Sequence, residues 1–248
     1  MPIGKLSTMR SIVYNEDWRI TTKNIADNYF DWVIDDVPYG IGVGKMAFLK
    51  ETNTTVKQKN GNRLNGNNNK KIYTQKDWDD EAPKQDYFNE MRRISKNQII
   101  FGVEYIDWDG LGNGRIKWNK GVAKGMSFKD YEMAYCSIIN HNHEIDLLWA
   151  GMCQAADLKN PMTQQGNKKL NEKRIHPCHK PTLLYKKIAL DFELKDKKIY
   201  CGHNGSGSDR IAFNDYVSEF VASEIDKEYF DLQEKRYKKH ISNYRLFA

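Results

Sequence analysis

Short apolar runs closed by Pro, Gly or acidic residues recur along this chain, and stretches with apolar residues at helical spacing lie between them. Trp32-Val33-Ile34 is one such run. It ends at Asp35-Asp36-Val37-Pro38-Tyr39-Gly40 and predicts a buried strand feeding a loop. Gln98-Ile99-Ile100-Phe101, followed by Gly102, predicts a second strand, and Arg115-Ile116-Lys117-Trp118 a third. Lys198-Ile199-Tyr200-Cys201 leads into a Gly-rich turn, and Glu219-Phe220-Val221-Ala222-Ser223 leads to Glu224. Helices are predicted over Asp86 to Ser95, Thr182 to Phe192 and Lys227 to His240. Strands alternating with helices predict an α/β fold, a mostly parallel sheet with helices on both faces. No internal repeat or clear linker divides residues 1–248, which read as a single domain.

The segment from Lys57 to Lys71 breaks the pattern. It is rich in Asn and Gly and has no acidic residue. It can bury little apolar area, which predicts a basic mobile insertion at about 50–75. Lys57, Lys59, Arg63, Lys70 and Lys71, with Lys45 ahead of them, are candidate phosphate contacts; the plainer reading is a solvated insertion.

Composition narrows the classes. With 248 residues, 40% of them hydrophobic, the chain can bury a sizeable core. No stretch approaches the roughly 20 apolar residues of a membrane span, and Met1 to Arg10 lack the apolar centre of a secretory signal. A soluble, cytoplasmic protein without a membrane partner is therefore expected. Cys136, Cys153, Cys178 and Cys201 form no CxxC pair and suit a reducing compartment. His176, Cys178, His179, Cys201 and His203 fit no common zinc spacing, so no metal is expected. A net charge of +6 favours a polyanionic partner.

Two loops carry candidate chemistry. Asp36-Val37-Pro38-Tyr39 supplies a carboxylate, a main-chain carbonyl held by a proline and an aromatic ring. Two acceptors side by side can take both hydrogens of an exocyclic base amine. That draws its delocalised lone pair toward a tetrahedral nitrogen, while the ring stacks on a base removed from its helix. Gly205-Ser206-Gly207-Ser208 follows a predicted strand, and Glu224 stands 19 positions after Gly205 at the end of the next strand. In nucleotide-binding βαβ units an acid about 20 positions on takes the ribose hydroxyls.

Asp36-Val37-Pro38-Tyr39-Gly40 resembles the Asp-Pro-Pro-Tyr signature of the DNA amino-methyltransferases, and Ile41 to Met46 resembles phage and bacterial adenine-specific members. The likeness continues at Trp118-Asn119-Lys120-Gly121 and Asp130 to Ala134, and at His176-Pro177-Cys178-His179-Lys180-Pro181, similar to the family's His-Pro-Thr-Gln-Lys-Pro element. It closes at Ser223 to Phe230 with Gln233 to Arg236. It implies a Rossmann-like S-adenosylmethionine-dependent methyltransferase fold of the β-type, with the reaction turn before the cofactor loop. The implied activity is methyl transfer from S-adenosylmethionine to adenine N6 in double-stranded DNA, with a homodimer admitted. Asp36 and the Val37 carbonyl would accept from the amine and Tyr39 would stack on the base. The implied cofactor residues are Asp17, His176, Lys180, Cys201, Gly205, Ser206, Gly207 and Glu224. Asp36 favours adenine, because cytosine N4 members more often begin the turn with Ser.

Three departures matter. Val37 replaces the usual first proline, Cys178 and His179 alter the His-Pro element, and Cys201 stands where the family has Asp beside the methionine amino group. Losing that charged partner costs roughly 1.5–3 kcal/mol of binding. The alternative is a catalytically inactive, methyltransferase-like nucleic-acid-binding protein. A third is transfer of a different group.

Overall fold

The computed structural model describes residues 9–45, 56–57, 63–64, 76–122, 129–150, 153–155, 158 and 171–245. In chain order the main sheet uses β1 (Arg10–Tyr14) and β2 (Phe30–Asp36). The pair β3 (Val56–Lys57) and β4 (Arg63–Leu64) stands apart from it. Then come β5 (Ser95–Phe101), β6 (Arg115–Asn119), β7 (Tyr131–Cys136) and β8 (Asn142–Asp146). A small ladder joins β9 (Leu148–Ala150) to β10 (Cys153–Ala155), and β11 (Lys198–Cys201) and β12 (Glu219–Ser223) complete the main sheet. The helices are α1 (Trp18–Thr22), α2 (Gln85–Ile94), α3 (Thr182–Asp191), α4 (Ser208–Phe213) and α5 (Lys227–Arg245).

The eight strands lie in the order β1-β12-β11-β2-β5-β7-β6-β8. Every neighbouring pair is parallel except the two that involve β7, which runs against the rest. The predicted sheet is present, and the five strands named from sequence are all in it. The strand around Trp32 does not stop at Asp35 as expected; it continues through Asp36, paired to Phe101 of β5. Ser95, expected in a helix, opens β5.

Side chains alternate across the sheet and divide two cores. Trp32, Ile34, Ile99, Phe101, Ile199, Phe220 and Ala222 face α3 and α4, against Leu184, Ile188 and Phe213. Val33, Ile100, Tyr200 and Val221 face the other way, against Trp18 of α1 and Tyr87, Phe88, Met91 and Ile94 of α2. The buried positions of α2 repeat at helical spacing, which is why that segment coils rather than extends.

The strand order sets the site. From β11 the chain crosses through α4 to β12 on one side, whereas from β2 it crosses through α2 to β5 on the other. A crevice opens outside the carboxyl ends of two neighbouring parallel strands where such connections diverge. Here those strands are β11 and β2, paired Tyr200 to Val33. The loops leaving them are the two that the sequence marks for chemistry. Among the described residues no helix is long and apolar enough to cross a membrane.

Within the span expected as a basic insertion, Val56–Lys57 pairs antiparallel with Arg63–Leu64, Lys57 opposite Arg63. Lys59, Lys70 and Lys71 lie outside the described residues.

Phe220 is fully buried and Ile138 is 52% exposed. Phe220→Ala is expected to lower unfolding free energy by about 3–5 kcal/mol, and Ile138→Ala by no more than about 0.5 kcal/mol. Urea denaturation of both variants checks the placement of the core.

Candidate active site

Adjacent residues of a strand point to opposite faces, and Asp35 and Asp36 use this. Asp35 is fully buried on the α2 side. Its carboxylate accepts from the N–H groups of Gly202 (3.0 Å) and His203 (3.0 Å), from His203 Nδ1 (2.9 Å) and from the Asp36 N–H (2.9 Å). The Tyr87 hydroxyl and the Cys201 thiol (3.4 Å) also donate to it. Burial works to raise this carboxyl, but the His203 charge and the hydrogen bonds outweigh it and hold it below its ordinary 3.8. Burial likewise works to lower His203, and Asp35 outweighs it, so the imidazole sits above its ordinary 6.5. A Cβ on Gly202 would lie 2.8 Å from Asp35 Oδ2, so only glycine lets this carboxylate tuck beneath the turn.

Asp36 faces the other way, toward the segment before α3. Its Oδ1 is ion-paired to Lys180 Nζ and accepts from the Tyr39 hydroxyl at 3.0 Å. Lys180 also reaches Glu132 Oε2 (3.2 Å) and the Tyr39 hydroxyl oxygen (2.9 Å), and Lys120 pairs with Glu132 Oε1 (2.8 Å). Burial works to raise the Glu132 carboxyl, but Lys180 and Lys120 hold it down at about 2. Burial raises Asp36 despite Lys180, and the Glu132 charge adds to the rise. Burial works to lower Lys180, but the two carboxylates keep it charged. Tyr39 stacks on Tyr105 at a centroid distance of 5.1 Å, and its N–H donates to Asp79 (2.7 Å). Val37 is buried in the α2-side core.

The glycine loop spans the end of β11 and the start of α4. Gly205 and Gly207 have φ of +51° and +66°, where a side chain would be strained. The Gly205 N–H donates to Glu224 Oε2 (2.6 Å), and the Asp226 N–H donates to Glu224 Oε1 (2.8 Å). From α5, Arg236 donates to the Ser206 carbonyl (2.7 Å) and Ser208 Oγ (3.0 Å) and is ion-paired to Glu172. Glu172 also accepts from Thr182 N–H (3.0 Å) and His179 Nε2 (3.0 Å), so one carboxylate ties the loop to the start of α3.

Both loops open on one cavity of about 390 Å³. Of the sequence-predicted residues, Asp36, Pro38, Asp17, His176, Lys180, Gly205, Ser206 and Glu224 line it. Asp17 also caps α1, accepting from the Arg19 N–H at 2.8 Å. His176 packs its ring against Tyr229 (4.2 Å) and Trp78 (4.8 Å). Val37, Tyr39, Cys201 and Gly207 are not among the lining residues. Cys201 is buried with its thiol turned to Asp35. Lys180, expected at the cofactor, is instead committed to the Asp36 turn while bordering the cavity. Lys45 lies in an exposed ion pair with Asp77 (3.1 Å) and Asp80 (2.5 Å).

Sequence reasoning missed Asp35, Tyr87, Glu132, Glu172, Asp209 and Arg236. Asp35 had a signal, a second acid in an apolar strand, which demands buried donors. The partners of Glu132 and Glu172 are distant in sequence and gave none. Among the described residues no group of three or more His, Cys, Asp or Glu could hold a metal ion.

Fold and crevice together define a Rossmann-like α/β protein with its site at the β11–β2 switch point. No protein-family model matches the chain, and no curated protein matches it significantly. Among solved structures it is similar to the PvuII DNA methyltransferase, which is cytosine-N4-specific. The identity is 12%, over 96% of this chain and 92% of that one, with a TM-score of 0.52; this likeness shows the fold. It is also similar to M1.HpyAVI in a complex with SAM, 16% identical over 91% of this chain and 99% of that one, TM-score 0.46.

The Asp35–His203 pair has a pH signature. Asp35 is lowered, so its contribution is full above pH 3.8 and is lost as pH falls through its folded value. His203 is raised, so its contribution is full below pH 6.5 and is lost as pH rises through its folded value. Between those limits Asp35→Asn is expected to cost about 3–5 kcal/mol and to flatten the alkaline decline. Denaturation across pH checks this; an unchanged alkaline slope contradicts the pairing.

Proposed function

We propose that this chain transfers a methyl group from S-adenosylmethionine to the exocyclic amine of a base in double-stranded DNA, and that the base is adenine, methylated at N6. The observation that carries this reading is the opening of the Asp36 turn and the glycine loop on one cavity. The loop's hydrogen bonding favours this cofactor class over a phosphate-bearing one. The N–H groups of Gly202 and His203 are taken by Asp35, that of Asn204 by the Ser223 carbonyl, that of Gly205 by Glu224 and that of Gly207 by the Asn204 carbonyl. A phosphate cradle needs such donors free. A carboxylate-rich wall formed by Asp17, Asp36, Asp209 and Glu224 suits a cationic ligand instead.

S-adenosylmethionine supplies, when bound, an electrophilic methyl on a sulfonium. Glu224 keeps lone pairs for the ribose hydroxyls beyond its two backbone donors, and Asp17 stands on the same cavity for the adenine amine. Gly205 and Ser206 let the backbone approach closely, Gly207 supports their turn from behind, and His176 closes the wall with Trp78. At the reaction turn Lys180 and Tyr39 occupy Asp36 Oδ1, which fixes the carboxylate and leaves Oδ2 to accept from the base amine beside the Val37 carbonyl. Tyr39 supports this turn through its hydroxyl, its ring being stacked on Tyr105. Catalysis is then mainly positioning.

The Lys180–Asp36 ion pair and the neutral Cys201 favour a second reading, a non-catalytic nucleic-acid-binding relative. Calorimetry with S-adenosylmethionine separates them, since that relative binds none at millimolar cofactor. Incubation of DNA with labelled cofactor followed by nucleoside analysis is expected to give N6-methyladenine; N4-methylcytosine would reassign the base. Asp36→Ala is expected to abolish labelling while leaving cofactor affinity within about threefold (about 0.65 kcal/mol), and parallel loss of both would place Asp36 elsewhere.

The basic segment is assigned to the DNA backbone. Neutralising Lys57, Lys59 and Arg63 together is expected to weaken binding across sequences. The log–log salt slope is expected to flatten by about 0.9 for each phosphate that the variant no longer neutralises. An unchanged slope would make the segment a bystander.

A further inference from the structure

The buried carboxylates at the cavity differ in how fully they are satisfied. Asp35 has six donors, Asp36 has Lys180 and Tyr39, and Glu224 has two backbone N–H groups. Asp209, in the first turn of α4, is 3% exposed and lines the cavity. Its Oδ1 accepts from Asn204 Nδ2 (3.0 Å) and the Arg210 N–H (2.8 Å), but its Oδ2 is buried with no hydrogen-bond partner. Asn204, whose residue also lines the cavity, has its Oδ1 buried without a partner too. A buried acceptor without a partner calls for a donor, and a buried carboxylate calls for a cation.

On the reading that the cofactor is S-adenosylmethionine, we infer that Asp209 Oδ2, on the residue of the cavity wall whose carboxylate is least satisfied, anchors the α-ammonium of that cofactor. That molecule carries two cationic groups. The sulfonium has charge but no N–H, whereas the ammonium offers three donors. Of the two, only the ammonium can donate to Asp209 Oδ2. The strand-end position next to the loop cannot do this, because Cys201 is neutral and its thiol donates to Asp35. Burial pushes the Asp209 carboxyl up to about 7 against the Arg210 N–H, with the Asp35 charge adding to the rise.

The test is calorimetry of wild type and Asp209→Asn with S-adenosylmethionine, S-adenosylhomocysteine and 5′-methylthioadenosine. The second ligand keeps the ammonium without the sulfonium charge; the third keeps the adenosine and thioether without the amino-acid part. Asp209→Asn is expected to weaken the first two about tenfold or more and to leave 5′-methylthioadenosine within about twofold (about 0.4 kcal/mol). Its thermal midpoint is expected to match or exceed the wild type's, because an uncompensated buried carboxyl has been removed. Equal weakening of all three ligands, or a lowered midpoint, makes Asp209 structural and overturns the inference. Weakening of S-adenosylmethionine alone moves the target to the sulfonium and also overturns it. A wild type that binds none of the three brings down the methyltransferase reading itself, and this assignment with it.

Discussion

The site depends on one buried carboxylate, Asp35, inserted between the end of its own strand and the turn that leaves the neighbouring one. With no exposure to water, it persists as a charge only because six donors converge on it from β2, the β11 turn and α2. This explains several residues at once. Gly202 has no side chain because Asp35 occupies the space, Tyr87 directs its hydroxyl there rather than to solvent, and the Asp35 charge lifts His203 above its ordinary imidazole value. Sheet pairing brings β2 and β11 alongside; Asp35 fixes how their loops leave them. The crevice has its shape because these two loops are clamped to one anion.

The second constraint is the sharing of one ammonium. Lys180 meets both Asp36 and Glu132 with little access to water, and Lys120 supports Glu132 alone. Glu132 is therefore the firmly ionised carboxylate, while Asp36, lifted by burial and by its neighbour's charge, is the more readily protonated. Lys180 also reaches the Tyr39 hydroxyl, so the polar end of the Asp36 turn answers to a residue well over a hundred positions away.

That distance separates what the sequence disclosed from what it hid. Trp32 to Ile34, Lys198 to Cys201 and Glu219 to Ser223 were legible as strands because buried parallel strands are continuous apolar runs. The turn at Asp36 and the glycines at 205 and 207 were legible because their chemistry is local. β1 and β7 were not, since Arg10–Tyr14 mixes polar and apolar residues, and Tyr131–Cys136 reverses direction in a way that no local pattern encodes. The same holds for Asp35, Glu132 and Glu172. A carboxylate in sequence looks alike whether it meets water or six donors, and only the pairing of β2 with β11 decides. Cys201 shows the reverse case. Its place in the motif marked it for the ligand, whereas its thiol turns to Asp35 inside the protein.

Chain order is secondary to this geometry. The reaction turn precedes the glycine loop in sequence, yet the crevice needs only that β2 and β11 lie side by side, point the same way and send their crossovers apart. Which strand is made first leaves no trace in the cavity. What does leave a trace is the use of hydrogen-bond donors. In this loop the N–H groups of Gly202, His203, Asn204, Gly205 and Gly207 are already taken by Asp35, the Ser223 carbonyl, Glu224 and the Asn204 carbonyl, which leaves few of them for an anion. Asp209 Oδ2, by contrast, is an acceptor without a partner. The loop keeps the outline of a phosphate-binding turn while presenting the opposite polarity, and that inversion argues for a cationic ligand more directly than the glycine spacing does.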